Sequence, residues 1–139
     1  MSPQHFLEQL TATDMLSKSE RKRAMAELRE THRQASFLAQ HRAEAAFHYM
    51  MAIVHERQHA RDSGESAAMQ SGLSRAFESA VARLVERMDE WFNIPAHQKW
   101  LTELRVTAIK RFSTHFLIAH PYWETKCVEW RTVLKGELA

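Results

Sequence analysis

Two imidazoles one helical turn apart, with a carboxylate between them, can hold a divalent cation and activate a water. The string His55-Glu56-Arg57-Gln58-His59 has that spacing. On a helix the rings of His55 and His59 project from the same side, so both can reach one zinc. Glu56 would then be the base that polarises a zinc-bound water for attack on a carbonyl. A third protein ligand is needed. Glu78, with eighteen residues between it and His59, and Asp62, three residues past His59, are the two candidates.

The string matches the H-E-x-x-H pattern of zinc peptidases. The interval from His59 to Glu78 resembles the spacing in one group of glutamate-liganded zinc aminopeptidases. The resemblance covers five residues and one further ligand, and it implies a zinc hydrolase with Glu56 as base. A looser alternative keeps the ligands and drops catalysis: His55, His59 and Asp62 on one helical face could bind zinc, nickel or copper across a dimer. The residues around the string favour a third reading. Nine His in 139 residues leave room for a bare match by coincidence. The pair lies opposite the apolar stripe of its own helix, and a helix from Ala67 packed on that stripe would carry Glu78 to the wrong side. No stretch reads as the β-strand on which such peptidases bind substrate. The reading is of a solvated His row without enzymatic activity and without a resident cofactor.

The element carrying the string must be long. Ser17 to Asp62 contains no Pro and no Gly, and Ser17 followed by Glu20 has the form of a capping box. Ala39, Ala43, Ala46, Phe47, Met50, Ile53 and Val54 form one apolar stripe. His41, His48, His55 and His59 fall on the opposite side, the first three at heptad spacing, interleaved with Ala45 and Ala52. Gly64 is a left-handed helix stop and Ser66 a cap for a helix over 66–92 with the strongest apolar periodicity of the chain. Pro95 suits the first turn of a helix over 95–119, with Leu101, Leu104, Ala108, Phe112 and Ala119 inward and His115 beside them as a hydrogen-bonded core residue. A helix over 121–135 follows, with a seam of Trp123, Cys127, Trp130 and Leu134. Ser2-Pro3 starts a short helix over 3–10.

The expected fold is all-α: an antiparallel helical bundle of about five helices in one domain, 1–139, built on the long helix, with no β-sheet. Phe77, Leu84, Trp91, Leu104, Phe112 and Trp130 are expected to be almost fully buried. The low Gly and Pro content, three of each, agrees with few and long elements. A helix of 26 residues cannot cover one of 45, so the excess from Lys18 to Gln34 should project, bend back or meet another chain. That excess argues for a homodimer.

The net charge of +2 does not by itself imply nucleic acid. Lys18, Arg21, Lys22, Arg23, Arg29 and Arg33 could contact phosphates, but Glu20, Glu27 and Glu30 dilute the patch and no groove-reading motif accompanies it. A lone Cys127 allows no disulfide within the chain and fits a reducing compartment. The first residues lack the apolar run of a signal peptide, and no apolar run is long enough to span a bilayer. The leading expectation is a cytoplasmic, homodimeric, non-enzymatic interaction module, a small regulator or adaptor of a protein or nucleoprotein assembly. A nucleic-acid-binding regulator using the basic face over 18–33 and a zinc hydrolase are the alternatives. The surface expected to bind comprises that basic face together with His41, His48 and His55.

Overall fold

A computed structural model describes residues 17–116 and 120–139. Four helices make up this part of the chain: α1 Lys18–Asp62, α2 Ala67–Phe92, α3 Lys99–Ser113 and α4 Pro121–Leu138. No strand occurs among the described residues. The helix expected over 3–10 and the inward position of Ala119 lie outside them.

Local chemistry sets the ends of α1 and α2 where the sequence places them. Ser17 Oγ accepts the amide of Glu20, and Ser66 Oγ accepts that of Met69, so each helix begins on a satisfied donor. Between them the Glu65 amide donates to the Ala60 carbonyl at 2.9 Å and the Gly64 amide to Arg61 at 3.2 Å. This is a Schellman stop, and Gly64 takes the left-handed φ of +64° that it demands. α2 then runs back along α1. Arg57 lies over Phe77, Tyr49 beside Arg83, and Ser36 against Trp91, contacts that descend one helix while they ascend the other.

α3 and α4 form a second pair in the same sense, with Thr102 bonded to Glu137 and Ser113 to Trp123. α1 contacts α2 and α3, and α4 contacts the same two helices. One core results, with Met50, Leu84, Trp91, Ile109, Phe112 and Leu134 at its centre. The apolar stripe of α1 from Ala39 to Val54 is buried throughout, as are Trp123, Cys127, Trp130 and Leu134 of α4.

Several expectations are corrected. α3 begins at Lys99, not Pro95. The segment between Phe92 and Lys99 is held out of helix by Arg105, whose guanidinium donates to the Ile94 carbonyl at 2.7 Å. At its other end α3 stops at Ser113, where the Thr114 hydroxyl donates to the Arg111 carbonyl. His115 therefore lies beyond the helix and is exposed, not a core residue. Leu104 is only half-buried because α3, placed between α1 and α4, turns Thr102, Arg105 and Ile109 inward. Phe77 is also half-buried, since α4 begins only alongside it, with His120 at 5.9 Å from its ring. The first turns of α2 pack on α1 alone, and Met69 is exposed.

The unmatched part of α1 is shorter than Lys18 to Gln34. Leu28, His32 and Ser36 are buried, and His32 meets His97 from the segment joining α2 to α3. The exposed stretch at the N-terminal end of α1 is residues 18–23.

Candidate functional site

The outer face of α1 carries Leu38, His41, Ala45, His48, Ala52, His55 and His59, all exposed, at alternating intervals of three and four. Two such intervals fall just short of two helical turns, so the residues make one nearly straight ridge. The stripe consumed by the core occupies the opposite side of the same helix. The ridge has few large side chains: Leu38 at 56% exposure is its most apolar member, and Tyr49, 54% exposed, stands beside it.

The His55-Glu56-Arg57-Gln58-His59 string sits at the C-terminal end of this ridge. His55, Glu56 and His59 face solvent. Arg57 points the other way, its guanidinium 4.4 Å from the centre of the Phe77 ring on α2. Burial lowers the Arg57 pKa, the neighbouring Arg61 lowers it further, and Glu78 opposes both. Glu78 is therefore on the Arg57 side of α1, about 200° around the helix from either His of the pair. Its carboxylate Oε2 lies 2.8 Å from His120 Nε2 at the start of α4. Asp62 accepts the side-chain amide of Gln58 at 2.9 Å, and His59 Nε2 lies 3.5 Å from the Ser63 hydroxyl. Among the described residues no three His, Cys, Asp or Glu side chains converge on one point.

The basic face is split. Lys18, Arg21, Lys22, Arg23 and Arg29 are exposed. Arg33 is tied to Glu30 by its Nε at 2.8 Å, and Gln34 donates to the same carboxylate at 3.1 Å. These bonds, that from Arg33 foremost, hold the Glu30 carboxyl below its ordinary range. Of the glutamates that dilute the patch in sequence, Glu30 thus pairs with one of its members, Arg33.

A buried polar network behind α1 has no counterpart in the sequence reading. Ser36 Oγ accepts the Trp91 indole N–H at 3.0 Å, and Arg105 Nη2 approaches the same oxygen at 3.5 Å. Arg105 is wholly buried, with Glu137 at 3.8 Å as its partial counter-charge. Glu137 in turn accepts the Thr102 hydroxyl. One turn before Ser36, His32 Nδ1 lies 2.6 Å from His97 Nε2, and the two rings stack. Burial, and then the neighbouring His97, lowers the His32 pKa. His32 Nε2 and Arg105 Nε and Nη1 are buried without a hydrogen-bond partner. Ser36 and His32 continue the spacing of Ala39 and Ala43 towards the N-terminus, the one signal that would have found them. The network joins all four helices and the α2–α3 connection, and it fixes the N-terminal half of α1 against the core.

Cys127 is buried at 3.8 Å from the Ser113 hydroxyl, and burial raises its thiol pKa. That suits a packing residue better than a nucleophile, which needs an accessible thiolate. No described helix is long and apolar enough to cross a membrane. No protein-family model matches this chain, and no match was found among curated proteins or solved structures.

Proposed function

We propose that this chain is a non-enzymatic helical interaction module that self-associates and serves as a small regulator or adaptor of a protein or nucleoprotein assembly. The observation that carries the reading is the two-sidedness of α1. Its inner stripe is used by the chain's own core, while its outer face keeps a second ridge at the spacing used for helix pairing. The Arg105–Ser36–Trp91 network supports the reading, because it holds α1 as a stiff support for that ridge. On this account His55 and His59 belong to the contact surface and no resident zinc is required. A reducing cytoplasm is the natural setting, with Cys127 kept as a packed thiol.

The test is the mass of the protein in solution. Sedimentation equilibrium at micromolar concentration should give twice the chain mass of 16.2 kDa. A chain that stays monomeric at high concentration would remove self-association from the proposal. Binding that instead appears with nucleic acid and collapses with added salt would favour the basic-face alternative. Stoichiometric zinc that survives dialysis, with hydrolysis lost in Glu56→Gln, would favour the hydrolase.

A further inference from the structure

We infer that the occupant of the outer ridge is a second copy of this chain, docked antiparallel about a two-fold axis at Tyr49, with Arg42 of each copy facing Glu56 of the other. The inference deepens the self-association proposed above and rests on it.

The ridge from Leu38 to His59 spans about 32 Å at about 1.5 Å per residue. Intervals of three and four are those of a two-helix seam, in which each side chain enters a gap on the facing helix. Two rows flank the seam. One holds Arg42, Tyr49 and Glu56, spaced by seven. The other holds Glu44, Met51 and Gln58. Arg42 and Glu56 are both exposed, and neither makes an ion pair among the described residues. Glu44, in the other row, is already bonded to Arg111 of α3. The free opposite charges of α1's outer face therefore lie in one row, equally far on either side of Tyr49.

Orientation follows from which rows meet. In a parallel pair like positions oppose each other, so His48 meets His48 and His55 meets His55, while Ala45 faces Ala45 and leaves a gap. The Arg42 row would then face the Glu44 row of the other copy. That sets Arg42 near Phe37 and Glu56 near Met51, with no opposite charges in register.

In an antiparallel pair each row faces its own symmetry mate. Centred on Tyr49, the pairing sets Arg42 against Glu56 twice, once at each end. It also sets Ala45 against His55 and Ala52 against His48, so that a small side chain meets a large one along the seam. Sliding the copies by one heptad keeps the seam but places Arg42 at Tyr49 and Glu56 at Ala35, and both ion pairs are lost. Size selects the antiparallel orientation, and charge selects the register within it. The ridge itself stays uncovered, because the bodies of α2 and α3 pack on the buried side of α1 and only side chains reach its flanks, Arg83 beside Tyr49 and Arg111 on Glu44.

Sedimentation equilibrium of charge-reversal variants tests orientation and register together. Arg42→Glu leaves two acidic pairs per dimer, and Glu56→Arg leaves two basic ones. Each alone should weaken self-association by about tenfold, from two surface pairs turned repulsive. Mixing the two variants should restore a one-to-one heterodimer, since both contacts then oppose Glu to Arg. The double variant Arg42→Glu/Glu56→Arg should dimerise within about threefold of the unaltered protein, less than half of a ~1.4 kcal/mol tenfold step. Single variants that dimerise normally, or that neither complement on mixing nor recover in the double variant, would overturn the seam while leaving self-association through another face intact. A monomeric unaltered chain would overturn both.

Discussion

Replacing Ser36 with Ala removes one oxygen from the middle of the molecule. Ser36 is 1% exposed, and its Oγ is the acceptor for the N–H of the wholly buried Trp91 indole, at 3.0 Å. Without it the indole donor is buried unpaired, which costs about 1–3 kcal/mol. Ala is the better helix former by about 0.5 kcal/mol, so the net loss is about 0.5–2.5 kcal/mol. For a chain of this size the larger figure corresponds to a fall in melting temperature of roughly 10 °C. Urea unfolding would measure the loss as a shift in midpoint at constant slope. A cycle with Trp91→Phe isolates the bond. Trp91→Phe loses volume as well as the donor, but once the donor is gone Ser36→Ala should cost less, with a coupling of about 1 kcal/mol. Equal stability of Ser36→Ala and the parent, or strict additivity in the cycle, would refute the role given to Ser36.

Three further outcomes follow from the packing and the buried charges. Leu84→Ala and Phe112→Ala, both at fully buried sites, should each cost about 2–5 kcal/mol in chemical denaturation, and a loss below about 1 kcal/mol at both would mean the core is assigned wrongly. Burial foremost lowers the pKa of His32, so the fold prefers its neutral form; stability should be full above the ordinary imidazole value near ~6.5 and fall as pH drops through the lower folded value. His32→Leu should flatten that dependence in urea midpoints taken between about pH 7 and 5, and an unchanged slope would assign the acid sensitivity to other groups.

Much of this architecture is legible in the sequence because burial there follows apolar spacing. Ala39 to Val54 on α1 and Trp123 to Leu134 on α4 are buried where their intervals of three and four place them. What escapes that reasoning is polar. His32, Ser36, Thr102 and Arg105 occupy core positions, yet a count of apolar residues passes over them. Their burial depends on partners distant in sequence, such as Trp91 for Ser36 and Glu137 for Thr102. Pro95 misleads for a related reason. Its fixed φ suits a helix start, but the Arg105 bond to the Ile94 carbonyl sets the local path. The His55–His59 motif is legible as a pattern. The side of α1 on which Glu78 falls is legible too, because it follows from α2 packing on the apolar stripe; its partner His120, 42 residues away, is not.

The most direct test of the central claim, that the outer face of α1 is a contact surface, is the reactivity of its imidazoles as a function of concentration. Acylation of His residues, read site by site by mass spectrometry, compares His41, His48 and His55 with the exposed His115, which lies off the ridge. Protection of the three ridge residues at high concentration, lost on dilution while His115 reacts equally throughout, is the predicted result. Ridge residues as reactive as His115 at every concentration, in a protein that nevertheless sediments as a dimer, would contradict it.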